Sequence, residues 1–590
     1  MKRLTTETPF VLLDDARDEG AAPARLYADP VRIITTRDLA EVASMLDELR
    51  TCKHHVAGFL SYEAGHALEP KLEALTALAD SAAPPLLWFG LFKNYREIAP
   101  EDVADLLPEP DGSWIGVPAP RISNAAYEQA LAITKAHIDA GDIYQANLTF
   151  GCDVDLVGDP RALYAGLRRR AKAGYGGLIW TGADWLLSLS PELFFALKDG
   201  KLTAKPMKGT ATRGTDAIAD AEAAAILQAD PKQRAENLMI VDLLRNDLSR
   251  IAVAGSVAVP ELFHVETYPT IHQMTSTITA RLRAGLGAAD VISAIFPCGS
   301  ITGAPKIRAI EVISEIEAAP RGAYTGSIGR IDPGGDAAFN VAIRTLHLRE
   351  GSNGATMGLG SGIVADSESH SEWRECLAKG GFVPSEKRFD LFETMRFDPA
   401  SGIKLLDRHI ARIGESAKLF GFPFDRHAAR NELQAATFRI SESRQVRLML
   451  SPTGRIAITI QPHQPTPPHL VDVCLIPLPV DSSDFRLRHK TTDRDFYTHA
   501  RDSAGSFEVA LVDPHGFITE GSFSNIFVRG PGALLTPPLS RGLLPGVLRA
   551  ELIANGSAIE ADLRAEDLAG PFFIGNASRG LIPARLVDQG

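Results

Sequence analysis

Apolar residues recur every three or four positions through "NAAYEQALAITKAHIDAG" (124–141) and predict an amphipathic helix, with Asn124 as N-cap and Gly141 as its stop. "AENLMIVDLLRNDLSRI" predicts a second, strongly apolar helix, and "SESHSEWRECLAK" a third that ends at Gly380-Gly381. "VRIITT" and "HVAGFLSYEAG" read as strands, and so does the Val-Ala-Ile-Arg-Thr-Leu core of "DAAFNVAIRTLHLRE". "LSLSPELFFAL" reads as a strand interrupted at Ser190-Pro191. The Gly and Thr residues of "KPMKGTATRG" predict a turn. Strands and helices mix without a regular βαβ rhythm, which argues for an α+β fold. A polar connector at Pro384–Lys387 splits the chain into 1–380 and 388–590, and "FDLFETMRFDPASGIKLL" beyond it predicts strand, turn, strand.

The 590 residues carry a net charge of -12 and 45% hydrophobic side chains, enough for more than one buried core. The acidic balance argues against nonspecific binding to nucleic acid or to an anionic membrane. Five scattered cysteines form no CxxC pair, so neither a disulfide framework nor a structural zinc site is expected. The first residues hold only a four-residue apolar run, too short for a signal peptide or a membrane span. The expectation is a soluble, cytoplasmic protein.

Candidate chemistry in the first part centres on Lys208. A nucleophilic lysine must be neutral, and burial or a nearby cation such as Lys205 or Arg213 would depress it from its ordinary value. Glu192, sixteen residues earlier, is a candidate acid. Glu236 opens a helix, and Glu372 and Glu375 share a helical face, the hard oxygen donors that suit Mg²⁺. Arg344 within an apolar stretch asks for an anion. Gly358, Gly360 and Gly362 offer backbone N–H groups to a carboxylate.

"GDIYQANLT", "SPELFF", "KPMKGTATRG", "AENLMIVDLLRNDLSR", "FPCGSITGAPKIRAIEVISEIE", "RGAYTGSIG", "FNVAIRTL" and "GLGSGIVADSESHSEWRECLAK" follow one another in order over residues 141–379. Together they resemble the chorismate-utilising enzymes. The resemblance implies a large α/β sandwich with its site between the sheets. It implies that Glu236 and Glu375, with Glu372 near, hold Mg²⁺ against the ring carboxylate, and that Glu192 acts as general acid while Lys208 attacks C2. Ammonia then adds at C4. Tyr324, Arg344 and the backbone of Gly360 and Gly362 would hold substrate carboxylates, and His272 would lie near the ring. Water-using members carry a lysine base where this chain has Gln145, and a neutral amide cannot deprotonate water, which favours amination. Lysine rather than alanine in "PMKGT" resembles the members that aminate C4 rather than C2. No glutaminase module is visible, so ammonia is expected from solution or from a separate glutamine amidotransferase subunit.

In the second part, Lys490, Glu520 and the Pro-Gly turn before "VLRAELI" supply a lysine, a carboxylate and a helix start, the three features that pyridoxal phosphate requires. With "LLDRHIARI" and "GNASRGLIPA" in the same order, residues 388–590 resemble the fold-type IV pyridoxal phosphate enzymes, the class IV aminotransferase fold. That resemblance assigns the Schiff base to Lys490, the pyridine nitrogen to Glu520, and the phosphate to Arg412 and the backbone of Gly546, Val547 and Leu548. Leu548 replaces a common threonine. Asn576 would lie at the phosphate or substrate side, in a motif closer to the lyases than to the aminotransferases.

The combined expectation is 4-aminobenzoate synthesis for folate: amination of chorismate to 4-amino-4-deoxychorismate, then elimination of pyruvate. Pairing of the second part as a homodimer fits the resemblance. Two alternatives stay open: an anthranilate synthase component fused to a branched-chain or D-amino acid aminotransferase, and a chorismate-binding regulatory protein without activity.

Overall fold

The computed structural model describes residues 3–75, 83–267, 271–464, 466, 467 and 469–587. The chain divides into two compact units. One runs to Pro110 and takes in Val117–Leu156 and Pro160–Pro384; the other consists of Asp111–Gly116, Val157–Asp159 and the chain from Ser385 onward. Among the described residues no helix is long and apolar enough to cross a membrane.

The first unit is built on two large sheets. One runs through Gln145–Val157, Gly354–Ile363, Thr345–Arg349, Asp184–Ser190, Tyr175–Trp180, Phe10–Asp14 and Ala24–Ala28. The other runs through Met207–Thr212, Ile271–Arg281, Lys201–Lys205, Leu193–Lys198, Ala337–Asn340, Ser327–Ile331 and His55–Leu60. Val11, Ile179 and Leu186 of the first sheet pack on Ala57, Phe59 and Ile328 of the second, so the sheets face one another across an apolar layer. On its outer face the second sheet is covered by the helices Leu39–Arg50, Pro231–Ser249 and Ala288–Ile295, whose Leu46, Ile240, Leu244 and Ile292 are buried against Leu60, Phe195 and Ile278.

The chain changes sheet at two places that matter for function. Asp184–Ser190 belongs to one sheet and Leu193–Lys198 to the other, with Pro191-Glu192 as the crossing. Ala337–Asn340 and Thr345–Arg349 are likewise in different sheets. The single strand expected through Val-Ala-Ile-Arg-Thr-Leu is therefore two strands joined at Val341–Arg344, and the ladder breaks where Arg344 takes φ +52°. The two crossings bond to each other: the Val341 N–H donates to the Glu192 carbonyl at 3.1 Å, and the Leu189 N–H to the Arg344 carbonyl at 3.0 Å.

Two local expectations change. The helix Asn124–Asp139 is capped by Ser123, whose hydroxyl accepts from the Ala126 N–H, so the cap lies one residue before Asn124. The "KGTAT" segment is a strand, Met207–Thr212, and not a turn. Its pairing with Ile271–Arg281 shifts register between Met207 and Thr210, a bulge that Gly209 permits at φ +94°.

In the second unit Leu391–Asp398 alternates buried and half-buried residues as an amphipathic strand should. It pairs with Arg444–Leu450, which pairs with Ile456–Pro462. The helices Leu406–Phe420 and Arg426–Thr437 close that core through Ile410, Ile413, Phe420 and Leu433. A second, mixed sheet places Val471–Pro477 parallel to Glu508–Val512 and Gly580–Leu586, then continues through Phe572–Asn576 to Asn525–Arg529.

Candidate active sites

The bulge at Gly209 turns Lys208 toward the strand Gly354–Ile363. A side chain at Gly362 would come within 2.6 Å of Lys208 Nζ and 2.9 Å of Gln145 Nε2, so any larger residue there would push these two polar ends aside. Gln145 is fully buried, and among the described residues neither of its carboxamide atoms has a hydrogen-bond partner. Burial lowers Lys208 from the ordinary lysine value; Glu236, Glu375 and Glu192 oppose that, and Lys379 adds to it. The depressing cation is therefore Lys379. Lys205 is paired with Glu266 instead, and Arg213 with Asp220 at 2.7 Å. The Lys379 ammonium bonds the Gly360 carbonyl at 2.9 Å and pairs with Glu375 at 2.8 Å.

Glu192 is buried in its crossing, and its Oε1 has no hydrogen-bond partner among the described residues. Burial raises its carboxyl to about 7, against hydrogen bonds from Ser300 and the Met207 N–H and the nearby Lys208 charge. A protonated acid thus stands beside a depressed amine, the pairing of opposed shifts that marks acid and nucleophile roles. Burial also raises Glu236, and the charges of Glu375 and Glu372 push it the same way. Burial would raise Glu375 too, but Lys379, Lys208 and Lys232 outweigh it and leave the group below its usual value. Glu372 accepts from the Ser367 hydroxyl at 2.8 Å.

Among the described residues no three acidic, histidine or cysteine side chains are gathered to hold a metal ion, so the expected three-glutamate set is not assembled. The donor chemistry of Glu236 and Glu375 still suits Mg²⁺, which keeps several waters and needs only one or two carboxylates. The His272 Nε2 pairs with Asp220 at 2.9 Å and ties the helix Ala217–Ala229 to the sheet, while its Nδ1 meets the Thr267 hydroxyl of the neighbouring strand Ala258–Thr267 at 3.1 Å. Tyr324 packs its ring on Gly358, where a side chain would collide at 1.9 Å. It lines an apolar cavity of about 280 Å³ with Tyr127, Phe150 and Arg321, and none of Lys208, Glu192 or Gln145 reaches that cavity. Gly360 and Gly362 are strand residues paired with Thr149 and Asn147, whereas the pairing with Thr345–Arg349 on the other side covers only Ala355–Met357.

In the second unit a cavity of about 540 Å³ is lined by Lys490, Glu520, Arg412, Gly546, Val547 and Asn576 among others. Burial lowers Lys490 to about 7, helped by Arg412, Arg494 and Arg447 and opposed by Glu393. Burial raises Glu520 to about 7, opposed by Arg494 and by hydrogen bonds from the Tyr497 hydroxyl and the Leu544 N–H. Gly546 caps the helix Val547–Ala554 and lies so close to Asn525 Oδ1 that a Cβ would overlap it at 1.8 Å. That helix start, the half-free lysine and the buried carboxylate fit pyridoxal phosphate. Leu548 packs its side chain with Val547 and Ala577. Asn576 spends its amide on the turn: Oδ1 accepts from Ser578 and Arg579, and Nδ2 donates to the Phe523 carbonyl.

Glu393 was not singled out by motif. It sits fully buried and takes the Arg412 guanidinium in a fork at 2.8 and 2.6 Å, while Arg412 Nη1 reaches the Pro545 carbonyl at 3.1 Å. Burial pushes its carboxyl up, but Arg412 and His409 more than offset this and hold it well below the usual range. The signal was a charged residue on the buried period of "LFETMRF", between Leu391 and Met395. Removing one partner of such a buried pair strands the other, so Glu393→Ala is expected to destabilise the second unit by about 3–5 kcal/mol. Urea denaturation of the pyridoxal phosphate-loaded protein measures it, and an unchanged midpoint would contradict the pairing.

The sequence family of chorismate binding enzymes matches residues 8–383, and the family of class IV amino-transferases matches residues 390–587. The chain is 44% identical over 258 residues to aminodeoxychorismate synthase component 1 of Klebsiella aerogenes, covering 44% of this chain and 57% of that protein. It is 39% identical over 291 residues to 2-amino-4-deoxychorismate synthase of Streptomyces globisporus, covering 48% and 58%. The chain thus spans a little over half the length of the curated relatives it matches. Among solved structures, anthranilate synthase component I from Streptococcus pneumoniae TIGR4 superposes with a TM-score of 0.53 at 26% identity, over 62% of this chain and 92% of that one. With two facing sheets, the acid in the crossing and the family match over most of its length, the chain belongs to the chorismate binding enzymes and continues into a class IV amino-transferase fold.

Proposed function

We propose that the chain makes 4-aminobenzoate in two steps, aminating chorismate in its first unit and expelling pyruvate in its second. The observation that carries the reading is the meeting of Lys208 and Gln145 at Gly362 with the acid Glu192 close by. A depressed lysine can attack a ring carbon, and Gln145 leaves no base to activate water. Lys208 Nζ bonds to C2 as the C4 hydroxyl takes the Glu192 proton and departs as water. Ammonia then bonds to C4 and the Lys208–C2 bond breaks, so the enolpyruvyl group stays. Mg²⁺ held by Glu236 and Glu375 would neutralise the ring carboxylate and the mutual repulsion of those two glutamates. Arg344 and the Gly360–Gly362 strand supply the remaining carboxylate contacts. Relatives named component 1 support a separate glutamine amidotransferase as the ammonia source.

In the second unit pyridoxal phosphate, when bound, supplies an electron sink for the amine-bearing carbon. Glu520 would hold the pyridine nitrogen protonated, and the Val547 helix start with Arg412 would hold the phosphate. Lys490 Nζ takes the proton from C4, the bond from C3 to the enolpyruvyl oxygen breaks, and the ring becomes aromatic as pyruvate leaves. The protein is read as a cytoplasmic enzyme of folate synthesis.

The test is product identity after incubation with chorismate and ammonium salt. The reading expects 4-amino-4-deoxychorismate without pyridoxal phosphate and 4-aminobenzoate with it; the ortho isomer would overturn it. A pH profile is a second check. Glu192 donates only while protonated, so kcat for ring amination falls as pH rises through about 7. Glu192→Gln is expected to remove that limb and to lower kcat about 10²–10⁴-fold; a variant that keeps the limb would take the acid role from Glu192.

A further inference from the structure

The second cavity holds more positive charge than the cofactor requires. Arg412, Arg447, Lys490, Arg494, Arg501 and Arg579 line it against Asp495 and Glu520. They fall into two groups. Arg412, Arg494 and Arg447 act on Lys490 and form an inner ring around it. Of the neighbouring charges, Arg579 feels Glu508 first and Arg501 second, and Arg501 and Arg579 flank the Phe523 ring, with their guanidinium carbons 5.8 and 5.0 Å from its centroid. Arg579 is half-buried, and burial lowers it from the ordinary arginine value. Its side chain donates to Gln464 and makes no ion pair among the described residues. Next to it the Ser578 hydroxyl is buried, lines the same cavity and has no hydrogen-bond partner among the described residues. Glu508 acts on Arg579 without direct contact, but its carboxylate is already taken up by the Ser522 and Ser524 hydroxyls and the Val509, Ser522 and Phe523 N–H groups. A half-buried guanidinium with no direct ion pair and an orphaned hydroxyl are each costly to keep, and an anion would satisfy both.

From this juxtaposition we infer that Arg501, Ser578 and Arg579 form a distal carboxylate subsite, which selects flat cyclic amines whose carboxylate lies across the ring from the amine. The inference rests on the two-step reading and sharpens it. An α-amino acid carries its carboxylate on the carbon that bears the amine, next to the inner ring of cations, and has no use for a second pair beyond it. A ring with amine and carboxylate in para positions spans from one group to the other, with Phe523 between the two arginines as an apolar wall. The Asn576 turn sets the geometry, because its Oδ1 holds the Ser578 and Arg579 N–H groups at 3.0 and 2.9 Å and so fixes the direction in which both side chains leave the backbone.

The experiment titrates the pyridoxal phosphate-loaded full chain with 4-aminobenzoate and with its uncharged amide, 4-aminobenzamide, following heat and the visible absorption of the cofactor. Arg579→Met and Arg501→Met are each expected to weaken 4-aminobenzoate at least tenfold while leaving the amide within twofold, with the cofactor spectrum unchanged. Arg579→Lys is expected to recover much of the carboxylate preference, which a merely structural arginine would not show. Equal weakening of both ligands, or none, overturns the subsite. The two-step reading is judged separately by whether the wild-type chain releases pyruvate from 4-amino-4-deoxychorismate. If it does while Arg579→Met binds as tightly as the wild type, the subsite alone is refuted; if the wild type releases none, the reading itself falls.

Discussion

Lys208→Ala is expected to stop ring amination. The loss should reach at least about 10⁴-fold in kcat, the upper end of what a positioned proton-transfer group supplies, because the covalent route itself disappears. Neither neighbour can replace the amine: Gln145 is neutral, and the Lys379 ammonium is engaged by Glu375 and the Gly360 carbonyl. The effect is confined to the first unit. Conversion of supplied 4-amino-4-deoxychorismate to 4-aminobenzoate should proceed at the wild-type rate, and chromatography of the products separates the two outcomes. Mass spectrometry of the quenched wild-type enzyme should carry a chorismate-derived adduct that the variant lacks. A variant that aminates chorismate at normal speed would end the nucleophile assignment.

The complementary result comes from Lys490→Ala. Amination should be untouched, 4-amino-4-deoxychorismate should accumulate, and the visible absorption of the lysine-bound cofactor should vanish. The reason is chemical rather than steric. Burial and the surrounding arginines lower Lys490 to about 7, so near neutrality much of it is uncharged and able to react with a carbonyl. The same shift predicts that cofactor-free protein takes up pyridoxal phosphate faster at pH 8 than at pH 6, since the uncharged fraction grows as pH rises. Stopped-flow absorption reads that rate, and a variant that keeps the band at the same maximum would remove Lys490 from the role.

The sequence carried the chemistry further than the geometry. Lys208, Glu192, Lys490 and Glu520 were legible because ordered motifs surround them, and their burial was not needed to find them. The sheet crossings at Glu192 and Arg344 were hidden, since "LSLSPELFFAL" and "FNVAIRTL" keep an apolar pattern straight through a change of sheet. Hydrophobic periodicity reports burial, and both sheets bury their residues here. Lys379 and Glu393 went unread for opposite reasons. In the sequence the lysine has the form of an ordinary helix-end cation, and the glutamate stands on the buried period of its strand with no motif around it. His272 is named by resemblance alone, and its partners Asp220 and Thr267, fifty-two and five residues away, are not legible in the sequence.

Because both crossings are laced together by main-chain bonds, Glu192 and Arg344 ride on the seam of the sandwich and not on loops above it. Any slippage of one layer against the other displaces them together. Conservative core changes as remote as Phe59 or Ile179 should therefore register in turnover while the protein still melts as a folded whole, making catalysis a finer gauge of interlayer alignment than stability.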